Sequence, residues 1–68
     1  MKIGPRQLGV KIKDLREKHR WRQSDLAAKA GLPTRTIGRL ERGEVDVRLS
    51  TLSKIAKALG TQPNDLLS

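Results

Sequence analysis

Cysteine is absent from the 68 residues, which excludes disulfides and any zinc site built on thiolates. A single histidine leaves no histidine cluster to hold a metal either. Phenylalanine and tyrosine are missing and tryptophan occurs once, at Trp21, so the several aromatic platforms on which single strands stack are not there. No apolar run approaches the roughly 20 residues that span a bilayer, and the opening "MKIGPRQLG" lacks the apolar stretch of a secretory signal. The expectation is a soluble, cytoplasmic chain with no membrane partner. Acid is scarce too: seven Asp and Glu stand against 15 Lys and Arg. Asp14, Glu17, Asp25, Glu44, Asp46 and Asp65 read as surface charges, none paired with a nucleophile or base, and His19 as an exposed residue at a helix end. No enzyme is expected, and no catalytic residue, metal or cofactor is assigned.

What is present is positive charge. A net charge of +8 favours a polyanionic partner, with nucleic acid first and an anionic membrane surface as its competitor. Sixty-eight residues make one small domain, whose core supplies about 3–5 kcal/mol.

Apolar spacing predicts helix almost throughout. Leu8, Ile12 and Leu15 share one face of a first helix over about residues 7–19, which Trp21 follows as an apolar plug belonging to the core. "QSDLAAKA", Gln23 to Ala30, is a second helix stopped by Gly31, which reaches positive φ at little cost. Pro33 suits the entry of a third, Thr34 to Arg42, with Ile37 and Leu40 inward and Gly43 as its stop. "EVDVRL" alternates like a strand but has no partner, so a loop is expected. Ser50 or Thr51 is the expected cap of a fourth helix ending at Gly60, and Pro63 opens a short fifth, "PNDLL". The fold class is therefore all-α, a compact bundle of five helices.

Helices two and three, joined by a tight Gly-containing turn, form a helix-turn-helix whose second member can enter a DNA major groove. Arg35, Arg39 and Arg42 lie four and three apart, on one exposed stripe of that helix. An arginine donating to guanine O6 and N7 discriminates by about 1–3 kcal/mol. Gly38 breaks the pattern at a cost of about 1 kcal/mol relative to Ala. A merely tolerated glycine is the preferred reading, ahead of close approach to DNA.

"QSDLAAKAGLPTRTIGRLERG", with "LREKHRW" before it and "LSTLSKIAKALG" after, resembles the lambda-repressor and Cro-like helix-turn-helix family over about residues 8–67. The resemblance implies a phosphate contact from Gln23, base contacts from Thr34, Arg35 and Arg39, and a backbone contact from Arg42. It also implies an ion pair between Arg16 and Glu41 that anchors the third helix to the first and leaves Arg42 free. Thr34 has a competing use as the cap of its own helix. One departure is Arg22, where the family places Thr, Ser or Asn; arginine is a poor cap beside a positive dipole end, and fraying of the second helix is expected.

The expected function is a sequence-specific regulator of transcription, a repressor binding a palindromic operator in double-stranded DNA as a homodimer. Arg6, Lys11, Arg22, Arg42 and Arg48 would neutralise phosphates. Leu67, with Val45 and Val47, is the candidate dimer interface, while Leu66 closes the core. Three alternatives stand beside it: an antitoxin that represses its own operon and binds a toxin protein, a non-specific charge-driven binder, and a piece of a longer ligand-sensing regulator. A nucleoid-associated place in the cytoplasm follows from the first reading.

Overall fold

The computed structural model describes residues 4–68. Five helices follow one another: α1 Pro5–Lys18, α2 Gln23–Ala30, α3 Thr34–Glu41, α4 Leu49–Leu59 and α5 Pro63–Leu67. No strand forms among the described residues, and "EVDVRL" is loop up to the start of α4. The all-α, five-helix expectation is met.

Each helix buries one stripe in a shared core: Leu8 and Ile12 from α1, Leu26, Ala27 and Ala30 from α2, Ile37 and Leu40 from α3, Leu52, Ile55, Ala56 and Leu59 from α4, and Leu66 from α5. The spacings of three and four that mark these residues in the sequence place them on single faces. Helix α3 packs on both α1 and α2, α4 packs on α2, and α5 closes against α1 and α4. This arrangement seats the inner face of α3 firmly and leaves its outer face to solvent.

The helix ends depart from expectation. Helix α1 starts at Pro5, two residues early, because proline fits the first turn and Gln7 reaches back to accept from the Gly4 N–H at 3.0 Å. Helix α3 opens at Thr34 as expected, with Pro33 just ahead of it in extended conformation, but it ends at Glu41 and Thr34 makes no side-chain cap. Helix α4 opens at Leu49, with Arg48 ahead of it, so neither Ser50 nor Thr51 caps it. At α2 the poor cap Arg22 is compensated from inside: Asp25 accepts from the Arg22 N–H at 2.8 Å and sets a negative charge in the first turn, which opposes the expected fraying. Asp65 does the same for α5, accepting from Thr61 Oγ1 at 3.1 Å and from the Gln62 N–H at 3.4 Å, so these two acids are more than surface charges.

Between α1 and α2 the chain turns through Arg20 at φ 60, a left-handed conformation that costs an L residue about 1–2 kcal/mol. Glycine usually fills this place, as Gly31 and Gly60 do after α2 and α4. Arg20→Gly is therefore expected to gain about 0.5–1 kcal/mol after glycine's own entropic cost. Urea denaturation checks this, and a loss of stability would show that the Arg20 side chain secures the turn. Trp21 is only half-buried, a correction to its expected place in the core. Its indole packs on the core rim, stacks on His19 at 4.1 Å between centroids and carries Lys29 Nζ 4.9 Å from the ring. His19, exposed as expected, donates from Nε2 to the Leu59 carbonyl at 3.3 Å, tying the end of α1 to that of α4.

Candidate nucleic-acid interface

Helices α2 and α3 meet through Gly31, Leu32 and Pro33. Gly31 takes φ 69, the Leu32 N–H returns to the Ala27 carbonyl at 2.9 Å, and the extended Pro33 sets the direction of α3. Ile37 and Leu40 fix the inner side of α3 in the core, so Thr34, Arg35 and Arg39 are exposed on the other side, with Arg42 one residue past its end.

The C-terminal end of α3 is held by a buried polar network. Arg16 donates from Nε to Glu41 Oε2 at 2.6 Å and from Nη2 to Oε1 at 3.0 Å, a two-pronged pair with side chains 10% and 3% exposed. Its remaining nitrogen, Nη1, donates to the Trp21 carbonyl at 2.7 Å. The hydrogen bond to Glu41 holds the Arg16 guanidinium above its ordinary pKa, against the opposing pull of burial. Gln23 completes the set, donating from Nε2 to Glu41 Oε1 at 3.0 Å. Among the described residues no buried side-chain polar atom lacks a partner. Arg16 and Glu41 thus meet as the resemblance implied, while Gln23 faces Glu41 with its amide nitrogen and remains half-buried.

Beneath Gln23 lies Gly38, buried, where an added Cβ would stand 3.2 Å from Arg42 Nη1 and 3.4 Å from Gln23 Oε1. Its neighbours are therefore side-chain ends of the protein itself. Gly43, at φ 71, passes so close to α1 that a Cβ there would be 2.7 Å from the Arg6 Cα, and Arg6 stands beside the end of α3.

Two expected side-chain states need correction. Arg42 is not free: Nε donates to Glu44 Oε2 at 2.5 Å, and Arg39 Nε lies 3.9 Å from Glu44 Oε1. Glu44, read from sequence as a surface charge, therefore joins the arginines at the C-terminal end of α3. Sequence offered a weak signal for it, an acid two residues beyond an arginine across a glycine. Lys11 Nζ donates to the Ser68 carbonyl, so it enters the structure already partnered. Arg22 and Arg48 are exposed, just ahead of α2 and α4. Among the proposed interface residues, Val45 and Val47 are half-buried against the core and Leu67 is 37% exposed. Leu49, which the sequence did not single out, is exposed by 70%. No described helix is long and apolar enough to cross a membrane.

The helix-turn-helix family matches residues 12–66. The control protein C.BamHI of Bacillus amyloliquefaciens is 42% identical over 60 residues, spanning 87% of this chain and 74% of that protein. The restriction-modification controller protein C.AhdI from Aeromonas hydrophila superposes with a TM-score of 0.90 at 32% identity, covering 93% of this chain and 96% of that one. The P22 c2 repressor, solved with a synthetic operator, superposes at 0.84 with 31% identity over 90% of this chain and 92% of its own. The exposed arginines of a rigidly seated α3 stand on the scaffold these regulators share. The chain belongs to the lambda-repressor and Cro-like helix-turn-helix family and is a DNA-binding regulator of transcription, not an enzyme.

Proposed function

We propose that the chain is a sequence-specific operator binder of the controller-protein type, which docks on a palindromic duplex as a two-fold dimer and represses by covering a promoter. The observation that carries this is the outer face of α3. Its inner face is locked by Ile37, Leu40 and the Arg16–Glu41 pair, so the arginines outside are presented on a rigid support. The correspondence with nearly the whole of C.AhdI, a restriction-modification controller, supports the class of regulator.

In this reading Arg35 and Arg39 read guanine edges, with Thr34 contacting bases beside them. Gln23, Arg22, Arg42 and Arg48 meet phosphates, joined by Arg6 at the end of α3. A dimer sets two recognition helices about one DNA turn apart, roughly 34–36 Å, and Leu67, Val45 and Val47 supply the apolar contact between copies. Such a protein works in the cytoplasm, on the nucleoid.

Selection from a randomised duplex library at about 150 mM salt tests the proposal. Enrichment of a two-fold symmetric site containing guanines is expected, and recovery of unselected sequence would overturn it. On the enriched duplex, Arg39→Ala is expected to lose about 1–3 kcal/mol of preference at one base position. Arg42→Ala is expected to weaken cognate and random DNA alike and to lower the salt slope by about 0.9. Fluorescence anisotropy on both duplexes checks the difference; equal effects of the two substitutions on both duplexes would abolish this division between base and phosphate.

A further inference from the structure

Glu44 is the acid that the C-terminal end of α3 does not need for folding. Gly43 at φ 71 turns the chain back, the Glu44 N–H reaches the Arg39 carbonyl at 3.0 Å, and the carboxylate comes to lie between two arginines. It accepts from Arg42 Nε at 2.5 Å and from Nη2 at 3.4 Å, and Arg39 Nε is 3.9 Å away. The three side chains are 58%, 49% and 47% exposed for Arg42, Arg39 and Glu44, so their pairing adds little to stability. An anion just past a helix C-terminus is also disfavoured by the helix dipole, so the arginines are what hold it there. The hydrogen bond from Arg42, aided by the charges of Arg42 and Arg39 against some desolvation, keeps the Glu44 carboxyl below the ordinary glutamate range. The carboxylate is therefore ionised at neutral pH, and only acid strong enough to pass that lowered value releases it.

We propose that Glu44 is an affinity-limiting residue of the DNA-binding face, an internal carboxylate that occupies Arg39 and Arg42 and must be displaced before either can engage a duplex. The inference rests on the operator-binding reading above. On random DNA, Arg42 exchanges a carboxylate for a phosphate while Arg39, finding no matching guanine, stays beside Glu44. On the operator, Arg39 gains two directed hydrogen bonds while Arg42 gains its phosphate, and the exchange becomes favourable. Freed Glu44 also recruits a cation, which offsets part of the counterion release that drives binding.

The test uses anisotropy of the full chain on a random-sequence duplex of about 20 base pairs and on the library-selected duplex, between about 50 and 200 mM salt. Glu44→Gln removes the charge and keeps the shape. Asp46→Asn is the charge control, since Asp46 is exposed in the same loop and forms no ion pair among the described residues. Glu44→Gln is expected to tighten random-duplex binding about two- to fivefold and to steepen the salt slope by up to about 0.9. Selected-duplex binding tightens at least as much, because there both arginines must leave the carboxylate, so the ratio of specific to random affinity does not fall, with Tm unchanged. An equal gain in Asp46→Asn would assign the effect to net charge and overturn the inference. Wild-type binding with no change in Glu44→Gln overturns the inference alone, whereas no wild-type binding even at low salt overturns the DNA reading and the inference with it.

Discussion

Arg16→Ala is expected to destabilise the fold by about 3–5 kcal/mol, as much as the entire stability of a domain this size. The magnitude follows from what the substitution leaves behind. Glu41 has a side chain 3% exposed, accepts two bonds from Arg16, and would keep only Gln23 as a neutral donor. A buried carboxylate without its cation is far costlier than a missing contact, because water cannot replace the lost partner. The Trp21 carbonyl loses its donor as well, which loosens the entry to α2. Urea denaturation and the dispersion of amide resonances check the outcome. Arg16→Met combined with Glu41→Leu is expected to recover most of the loss, since both charges leave together. Gln23 and the Trp21 carbonyl would remain unpartnered, so the recovery stays short of complete. A single substitution that leaves the urea midpoint unchanged would mean that Glu41 is hydrated, not sealed by Arg16.

The parts of this fold that were legible in the sequence are those governed by local rules. The stripe of Leu26, Ala27 and Ala30 followed by Gly31 is written in apolar spacing and in one residue's freedom to adopt positive φ, so α2 and its stop could be read directly. Helix starts were less legible because the caps here come from within. Gln7, Asp25 and Asp65, each at the third helical position, reach back to the residue before the helix, and Ser50 and Thr51 mislead because they look like caps and are not. The buried Arg16–Glu41 pair lies 25 positions apart, and only the family pattern pointed to it. The Glu44 clamp was hidden for a related reason. Its spacing is ordinary for a surface acid, and only the reversal at Gly43 brings it onto two arginines.

Gly9 is the most consequential residue that the sequence concealed, and Gly9→Ala is expected to cost about 2–3 kcal/mol. In an isolated helix the same change would stabilise by about 1 kcal/mol, because alanine is the better helix former. Packing reverses the sign. Gly9 is buried two turns before Arg16 on the same side of α1, and both meet the end of α3. A Cβ at Gly9 would stand 2.7 Å from the Glu41 carbonyl oxygen and closer still to that of Leu40. Both are backbone atoms at the end of a helix seated in the core, so they cannot turn aside as a side chain can. Either α1 and α3 separate, which exposes Leu40 and stretches the Arg16–Glu41 bonds, or the backbone of α3 bends and the arginines beyond it are re-aimed. Gly38→Ala is the informative contrast. That glycine is also buried within a helix, but its nearest neighbour is the Arg42 guanidinium at 3.2 Å, the far end of an exposed side chain that gives way. Helix propensity then prevails, and a gain of up to about 1 kcal/mol is expected. Parallel urea titrations of the two variants decide the matter: opposite signs locate the α1–α3 contact at Gly9, whereas a stable Gly9→Ala would show that the two helices separate without cost.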